Sequence, residues 1–504
     1  MAGIKVFTRQ FFEDAKLFFE ALLPKKMLWP RAALLFAITL AAAIYRYSDI
    51  GNNVTYDEAY TYLAFIRGSF WQTATDYHLP NNHIFLSLIL NLTFRIFGGE
   101  LWVLRMPTYL AGLLMIPASY VLGKNLYSSS TGMLSAVAVA VFPELIQFSS
   151  VFRGYIIVAL LTLLGLILGD KLRREKNRFG WAVLIILFTL GLYTIPTMLF
   201  PFTILYYWLL FSVFVNDFGS SYESKQDFLS YWFSSGILTG LATFVLYSPI
   251  LLFSRNDLFN HHWLIPVPWD VLPNRMWGKF LNTWAEWTAP IPELLVWLGI
   301  VGIIISFIFH RKFAKHKIPL HIVFVVGIST MILIQRPNAW PRVWSFTIAP
   351  ILVWVAAGII FPLSNFKIRA WFLDWIVIGI AFIILLWGAA QHIPNLSTYP
   401  VEKSKAEMTA SYLQTELHEN DMILMDGSYA PFLEYQMLIQ GDFSKNFIRD
   451  YNFERVLLIV VTKNGESLDT VWKKFGEKYK LDFSTLKILR YFGNYEVYEV
   501  FPLQ

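Results

Sequence analysis

Eleven apolar stretches, each long enough or nearly long enough to cross a bilayer as a helix, occupy most of this chain. A helical span takes roughly 17 to 25 mostly apolar residues. Because a spanning segment must satisfy its own backbone hydrogen bonds, stretches of this length predict helices. The stretches are approximately residues 29–47, 101–122, 131–149, 152–169, 180–195, 197–215, 231–253, 291–309, 318–334, 343–362 and 371–390. We therefore predict a polytopic α-helical membrane protein.

The composition supports this fold class. Of the 504 residues, 56% are hydrophobic and only 15% are charged, whereas soluble domains are about one quarter charged. The net charge of +6 comes mainly from short basic clusters between apolar stretches, a pattern typical of cytoplasmic loops rather than of nucleic-acid binding. The chain has no cysteine, which excludes disulfides and thiolate metal sites. Residues 1–26 are amphipathic and predict a retained interfacial helix.

A twelfth apolar run, residues 83–97, decides the topology. If it crossed the membrane, the basic loops DKLRREKNR and HRKFAKHK would face outside, against the positive-inside rule. We therefore predict that it lies in or re-enters the interface, that eleven helices cross, and that the N-terminus is cytoplasmic and the C-terminus external. Residues 48–100 then form an external loop, with an amphipathic helix from Ala59 to Phe70.

After Pro394 the composition changes to frequent lysine, glutamate and aspartate. The pattern predicts strands at DMILMD, RVLLIVVTK, LKILRYF and YEVYEV, and helices from about Lys405, near Pro431 and from Ser467 to Tyr479. We predict two domains: a transmembrane domain of residues 1–394 and a small extracytoplasmic α/β domain of residues 395–504. A glycine-rich phosphate motif is absent from this sequence, so nucleotide binding has no support.

The predicted topology gathers the unusual polar residues on the external face. They are Asp57, Glu58, Asp76, His78, His83, Arg105, Glu144, Arg153, Tyr155, His261, His262, Arg336 and Arg342. Convergence of acids, histidines and arginines from distant loops indicates a cleft for an anionic substrate. Arginine suits phosphate, because its planar fork stays charged and donates two parallel hydrogen bonds.

Four motifs in the first 170 residues resemble one known family. They are YDEAYTY after the first span, HLPNNH near the end of the external loop, LRMPTYLAGLLMIPASYVLG opening the second span, and FRGY at the next external turn. In this order and spacing, the motifs resemble the GT-C superfamily of polyprenyl-phosphate-sugar glycosyltransferases. That superfamily includes protein O-mannosyltransferases, lipid A aminoarabinose transferases and the catalytic subunit of oligosaccharyltransferase.

The resemblance implies transfer of a sugar from a lipid-phosphate donor to an acceptor on the outer face. It implies that the acidic residue of the external loop, here Asp57 with Glu58 beside it, acts as catalytic base or helps to bind and orient the acceptor, and we predict that Asp57 is the base. A carboxylate suits this role because an acceptor hydroxyl has to lose its proton as the sugar carbon is attacked. The alternative for the pair is a helix N-cap. The candidate substrate-binding residues are His78, His83, Arg105, Arg153, Tyr155, Arg336 and Arg342.

Structural alternatives stand beside these assignments. The histidines also suit interfacial packing, Arg105 a snorkelling residue, and Arg153 and Arg342 membrane or loop anchors. The external loop of residues 254–290 is rich in tryptophan, which is typical of an interfacial belt; the alternative is a surface along which a carrier lipid enters.

Metal dependence is doubtful on the sequence. Metal-using relatives often carry an acid a few residues after the arginine-tyrosine motif, where this chain has Val158 and Ala159. A divalent cation therefore stays an open alternative, with Asp57 and Glu144 as its only candidate ligands, and no other cofactor is predicted.

We predict an inverting hexosyl- or pentosyltransferase in the cytoplasmic membrane of a prokaryote. Its partners are a polyprenyl-phosphate sugar, membrane lipids, and a protein, glycolipid or polysaccharide acceptor, with no nucleic acid. The alternatives are a polysaccharide polymerase or ligase, a transporter (flippase) of lipid-linked sugar and a noncatalytic assembly subunit. A transporter is disfavoured because it concentrates charges in broken helices at mid-membrane, whereas here they follow loops.

Overall fold

The computed structural model of the chain describes residues 10–18, 29–51, 54–255, 265–365, 375–380, 382–384, 386–388, 390, 405–426, 430–441, 444–447, 453–462 and 466–503. Residues 10–18 form a helix within the predicted interfacial segment. His261 and His262, which were predicted to lie on the external face, are outside the described residues.

Helices lie at the predicted apolar stretches. We label them α1 (10–18), α2 (Trp29–Ile50), α3 (Tyr56–Thr61), α4 (Phe70–Thr75), α5 (Ile84–Phe97), α6 (Leu101–Leu126), α7 (Ser129–Val141), α8 (Pro143–Ser149), α9 (Tyr155–Arg174), α10 (Arg178–Thr194), α11 (Leu199–Phe214), α12 (Lys225–Phe253), α13 (Leu272–Thr288), α14 (Glu293–Ile308), α15 (His310–Phe313), α16 (Leu320–Gln335), α17 (Ile348–Asn365) and α18 (Trp375–Gly388). A 3₁₀ segment, Pro341–Thr347, leads into α17.

By length and hydropathy, six segments of the described chain are long and apolar enough to cross a membrane. They are Trp29–Ile50, Leu101–Leu126, Tyr155–Arg174, Pro196–Phe214, Lys225–Phe253 and Pro341–Ser364. The bent pair α7 and α8 makes a seventh if it is one span. The four other predicted spans coincide with the shorter apolar helices α10, α14, α16 and α18. A multi-pass helical architecture is therefore present, and the number eleven stays a prediction.

The stretch 131–149 was predicted as one helix and is two, bent by 62°. Pro143 starts the second helix, and proline has no N–H to donate to the carbonyl four residues earlier, that of Val139. Arg46 of α2 supplies donors in its place: Nη2 donates to the carbonyls of Val139 and Ala140, both at 3.0 Å. The guanidinium of Arg46 is fully buried and stabilises the bend.

The core of the helical part is formed largely by α6, α7, α9, α10, α11 and α17. Helices α6 and α7 meet at Gly123 and Gly132, where a Cβ on Gly123 would lie 2.8 Å from the Cα of Gly132. This close approach excludes any larger residue without a shift of the backbone.

The predicted external loop is mostly helical. The helix expected from Ala59 to Phe70 begins earlier, at Tyr56, continues as a π-helical turn over Tyr62–Ile66, and is followed by α4. Helix α5 has 14 residues, or about 21 Å at 1.5 Å per residue. That length is shorter than the roughly 30 Å of hydrocarbon that a span has to cross.

The chain after Lys405 contains the predicted helices and strands. Helices α19 (Lys405–Glu416), α20 (Ala430–Gln440) and α21 (Leu468–Phe475) accompany strands β1 (Asp421–Met425), β2 (Arg455–Val461), β3 (Lys487–Phe492) and β4 (Tyr495–Val500). The sheet order is β1-β2-β4-β3, with β1 and β2 parallel and the other pairs antiparallel. Helices α19 and α20 cover one face of the sheet and α21 covers the other.

The two ends of the helical bundle carry different charged groups. At one end, the turn that contains Arg153 meets α3 and the start of α6; we call this the Asp57 end. At the other, the Arg173 end, Arg173 bridges Asp170 at 3.0 Å and Asp217 at 2.7 Å. Arg174 also pairs with Asp170. Asp170 and Arg173 are 1% and 2% exposed, so these ion pairs lie inside the protein.

Candidate active site

Helix α3 begins with a capping box that sets the acid pair in its first turn. The Thr55 side chain accepts a hydrogen bond from the amide of Glu58, and the Glu58 carboxylate accepts one from the amide of Thr55. The N-terminal end of a helix favours acidic side chains electrostatically. Thr55, and neither acid of the pair, is therefore the N-cap of α3: Glu58 is the third helical residue of the capping box, and Asp57 takes no part in it.

The carboxylate of Glu58 is buried and saturated. Arg105 donates to it through Nε at 2.9 Å and Nη2 at 2.8 Å, and the amide of Phe152 donates at 3.0 Å. Glu58 and Arg105 are 0% and 1% exposed, and Arg105 also donates to the carbonyl of Ile50. The ion pair of Glu58 and Arg105 connects α3 to α2, to α6 and to the turn before α9. Because both side chains are buried, neither is accessible to a ligand.

Asp57 is held differently from its neighbour. Its carboxylate Oδ2 lies 3.8 Å from Arg153 Nη2 and 3.4 Å from Arg342 Nη1, and its side chain is 29% exposed. Both distances exceed the usual N–H···O range of about 2.7 to 3.2 Å. The carboxylate is thus attracted by two cations while retaining surface for a further hydrogen bond.

Arg153 is positioned by two neighbouring segments. Its Nη1 donates to Thr61 Oγ1 at 2.9 Å and to the carbonyl of Asn81 at 3.2 Å. The Asn81 side chain in turn donates to the backbone carbonyl of Asp57 and to Thr61. Because the guanidinium of Arg153 is almost completely buried, these bonds fix where its second nitrogen points.

The neutral imidazole ring of His83 lies next to Arg153. The amide of Gly154 donates to Nδ1 at 2.7 Å, which leaves the ring proton on Nε2. Burial, then the charges of Arg153 and Arg342, hold the pKa of His83 well below its usual value. Its Nε2 lies 3.3 Å from Arg153 Nη2. Two adjacent donors of this kind can share one acceptor oxygen, such as one of a phosphate.

Tyr155 lies between the two arginines. The Cζ atoms of Arg153 and Arg342 are each 5.9 Å from its ring centroid, and the ring edge of His83 packs on it at 5.1 Å. Arg342 comes from the 3₁₀ segment before α17 and has a side chain 43% exposed. Two cations and one carboxylate leave an excess positive charge, which favours an anion.

His78 belongs to a separate chain of hydrogen bonds that links Asp76, His78 and Tyr60. Its Nδ1 lies 2.5 Å from Asp76 Oδ1, and its Nε2 accepts from the hydroxyl of Tyr60 at 2.7 Å. Burial opposes ionisation of Asp76, but its hydrogen bonds with the side chain and the backbone amide of His78 outweigh that cost, and its pKa is lowered. Burial and the nearby Tyr56 and Asp76 raise the pKa of Tyr60 to about 12, so the phenol keeps its proton.

Two predicted residues contact partners other than Asp57 in the described structure. Arg336 has a left-handed backbone with φ of 46°, and its guanidinium stacks 4.9 Å above Trp269. Glu144 is buried at the start of α8 and faces Glu286 and Trp287 of α13.

The described residues contain no group of three or more histidine, aspartate and glutamate side chains placed to hold a metal ion. The carboxylate of Asp57 is also opposed by Arg153 and Arg342. This donor set does not fit a divalent cation.

The sequence reasoning missed four residues that build the site: Thr55, Tyr60, Thr61 and Asn81. Thr55 was recognisable, because Thr-x-x-Glu before a helix is the signature of a capping box. Tyr60 and Asn81 lie inside the motifs YDEAYTY and HLPNNH, but their partners are set by tertiary packing.

Residues 80–221 match the family model of dolichyl-phosphate-mannose-protein mannosyltransferases. The matched segment contains His83, Arg105, Arg153 and Tyr155, and it begins after the helix that carries Asp57. In sequence, the chain matches no curated protein.

Two solved oligosaccharyltransferase structures share the fold, and a third structure is similar to the chain. Archaeal oligosaccharyltransferase AglB from Archaeoglobus fulgidus, in complex with an inhibitory peptide and a dolichol-phosphate, aligns over 85% of this chain and 69% of its own with a TM-score of 0.52 and 13% identity. An Archaeoglobus fulgidus oligosaccharyltransferase in complex with Zn and sulfate aligns over 92% and 72%, with a TM-score of 0.51 and 14% identity. ArnT from Cupriavidus metallidurans in the apo state aligns over 93% and 97%, with a TM-score of 0.47 and 12% identity.

The chain therefore has the fold of these archaeal oligosaccharyltransferases. The resemblance to GT-C polyprenyl-phosphate-sugar glycosyltransferases, predicted from the four motifs, is confirmed by the family match over residues 80–221.

Proposed function

We propose that this protein is an inverting glycosyltransferase that moves a sugar from a polyprenyl-phosphate donor to an acceptor at the extracytoplasmic face of the membrane. The observation that carries the proposal is the environment of Asp57: a partly exposed carboxylate beside two arginines that it does not saturate. The family match over residues 80–221 supports the donor class. The dolichol-phosphate bound by the archaeal oligosaccharyltransferase AglB, which shares the fold, supports it too.

Arg153 and Arg342 hold the donor phosphate in this proposal. The Nη2 of Arg153 and the Nε2–H of His83 converge on one acceptor, while Arg342 reaches it from the exposed side. As the bond from the sugar carbon to the phosphate oxygen breaks, negative charge grows on that oxygen. Cations already in place stabilise it without reorganising, which is where catalysis gains most.

Asp57 acts as the general base. The acceptor hydroxyl donates its hydrogen bond to the exposed carboxylate, its oxygen attacks the anomeric carbon, and the proton passes to Asp57. Attack comes from the face opposite the phosphate, so the new bond has the inverted configuration. The polyprenyl phosphate departs with the electron pair of the broken bond.

Glu58 and Arg105 are assigned positioning roles instead of the catalytic and substrate-binding roles given them by the sequence. The Glu58 carboxylate and the Arg105 guanidinium are hydrogen-bonded to each other and to backbone groups. They orient α3, and therefore Asp57. Arg336 is assigned no phosphate contact, because its guanidinium is stacked on Trp269.

The orientation follows from the basic loops. Lys176 and Lys317 belong to two loops at the Arg173 end, where the Lys317 amide donates to Asp217. The positive-inside rule assigns that end to the cytoplasm. With eleven crossings, the Asp57 end and the extracytoplasmic domain of residues 395–504 then lie outside, in the cytoplasmic membrane of a prokaryote.

The test is to incubate the purified protein in nanodiscs with a panel of radiolabelled polyprenyl-phosphate sugars and candidate acceptors, and to identify the product and its anomeric configuration. Asp57→Asn is expected to lower transfer about 10²- to 10⁴-fold, the range for loss of a general base, while binding the donor normally.

Asp270→Asn is the matched control, because this acid is exposed elsewhere on the predicted external face. It is expected to transfer like wild type. Undiminished transfer by Asp57→Asn contradicts the assignment of the base, and a product that retains the donor configuration contradicts inversion.

A further inference from the structure

Three aromatic rings from two distant parts of the chain lie beside Asp57. Tyr56 and Tyr60 are one helical turn apart on α3, with ring centroids 6.3 Å apart and an interplanar angle of 29°. Phe432 of α20 packs against Tyr56 at 5.8 Å, at an angle of 61°. We call Tyr56, Tyr60 and Phe432 the aromatic platform.

The platform has accessible surface next to the base. Tyr56 is 36% exposed and the side chain of the adjacent Asp57 is 29% exposed. Arg153 and Arg342 approach the same carboxylate, so the donor phosphate and the platform are both neighbours of Asp57 without sharing residues. A molecule seated on Tyr56 is thus placed to reach Asp57 with a hydroxyl.

Several contacts fix the platform in place. The hydroxyl of Tyr60 is bonded to His78, which is bonded to Asp76, and the ring of Phe65 packs against both Tyr60 and His78. We therefore assign His78 the role of orienting the Tyr60 ring, instead of binding phosphate.

Helix α20 is anchored as firmly as α3. Its Tyr435 is 1% exposed and packs edge-on against Tyr62 at 5.1 Å. Phe432, one turn before Tyr435, is therefore held against Tyr56 by a contact that belongs to the core of the helical part. A binding surface whose rings are already ordered loses little conformational entropy when a ligand arrives.

We infer that the aromatic platform binds the acceptor and that the acceptor is a carbohydrate. A pyranose ring has a face of C–H groups, whose partial positive charge is attracted to the negative face of an aromatic ring. Its hydroxyls project at the edge, where a carboxylate accepts from them. A flat exposed tyrosine with a carboxylate one residue away matches both features, whereas an aliphatic chain would gain nothing from the carboxylate. This inference rests on the proposed function, since it identifies the acceptor of the same reaction.

The test measures steady-state transfer by the full-length protein with three acceptor classes: methyl glycosides and short oligosaccharides, serine-containing peptides, and a prenyl alcohol. Saccharides are expected to be the substrates. Tyr56→Ala is expected to raise the KM for the saccharide about tenfold, as for loss of an aromatic contact, and to leave the KM for the donor unchanged. Tyr56→Phe keeps the ring and is expected to recover most of the lost affinity.

Trp71→Ala is the matched control, because Trp71 is also exposed but packs on Phe253 instead of near Asp57. Binding without turnover is read by saturation-transfer NMR with the same methyl glycosides and Asp57→Asn protein. An unchanged KM in Tyr56→Ala, transfer to the peptide or the prenyl alcohol alone, or absence of saturation transfer to every glycoside overturns the inference. The proposed function stands in each of these cases if Asp57→Asn still abolishes transfer, and fails if that variant transfers normally.

Discussion

The Arg173 end and the Asp57 end of the bundle both concentrate opposite charges, but they pair them differently. At the Arg173 end, Arg173 meets Asp170 and Asp217 at 3.0 and 2.7 Å, with its side chain 3% exposed. At the Asp57 end, the carboxylate stays 3.4 and 3.8 Å from its arginines and keeps 29% of its surface. Charge density alone is therefore a poor guide to a site; incomplete pairing is a better one, because a saturated cluster has nothing left to offer a ligand.

The comparison extends to two neighbours in sequence. Glu58 resembles Asp170 and Arg173 in being buried in an ion pair, and Asp57, one residue away, does not. A structural acid and a candidate base thus share one helical turn, and the first fixes the position of the second.

The largest expected effect is on stability at the Arg173 end. Asp170→Asn leaves Arg173 buried with a lost charge partner, and breaking a buried pair costs about 3 to 5 kcal/mol. We expect a clear fall in the unfolding temperature in detergent and an unchanged KM for the donor in the protein that remains folded. Glu293→Gln, at an exposed site, is the control and is expected to unfold like wild type. A normal unfolding temperature for Asp170→Asn would break the comparison.

At the Asp57 end we expect the opposite result: a loss of activity with little change in stability. Arg342→Gln removes the cation that the proposed function assigns to the departing phosphate, and loss of one such donor lowers kcat about 10²- to 10³-fold. Because the Arg342 side chain is 43% exposed, the unfolding temperature is expected to stay close to that of wild type. Arg336→Gln serves as the matched control, with kcat expected near that of wild type. If the two arginine variants lose activity equally, the assignment of Arg342 is wrong.

A smaller effect is expected at the bend between α7 and α8. Arg46→Met removes the donor to the carbonyl of Val139, whereas the carbonyl of Ala140 keeps the hydroxyl of Tyr45 as a donor. Leaving one such carbonyl unsatisfied costs about 1 to 3 kcal/mol. Unfolding in a denaturant series measures the loss. Lys124→Met, near the far end of α6, is the control. Equal stability of the two variants would show that the bend holds without Arg46.

The smallest expected effect is on pH dependence. Since the folded-state pKa of Asp76 is below its usual 3.8, its stabilising contribution is present above that value and is lost as the pH falls through the folded pKa. Wild type is therefore expected to lose more thermal stability than Asp76→Asn between pH 5 and 3. The measurement is the unfolding temperature across that range. Parallel curves would contradict a role for the Asp76–His78 pair.

The helical architecture could be predicted from the sequence because membrane spans are read from hydropathy alone. The grouping of Asp57, Arg153 and Arg342 followed from topology, since loops on one side of a membrane are confined to the same layer. The assignment of eleven crossings and the sidedness of each loop stay predictions.

What could not be predicted depends on contacts between distant segments. The capping-box pattern Thr-x-x-Glu separates Glu58 from Asp57 in the sequence, but the bonds from Arg105 and the amide of Phe152 that bury Glu58 come from distant segments. The bend at Pro143 was readable from proline, but its stabilisation by Arg46, nearly one hundred residues earlier, was not. Similarly, nothing local pairs His78 with Tyr60.

One carboxyl group, that of Glu58, connects segments that lie far apart in the sequence. Glu58 joins the amide of Thr55 to Arg105, 47 positions later, and to Phe152, 94 positions later. Helix α3, which carries Asp57, is therefore held by contacts with α2, with α6 and with the turn before α9. A chain inserted only as far as α3 would carry Asp57 without Arg153 and Arg342, so under the proposed function we expect it to be inactive until folding is finished.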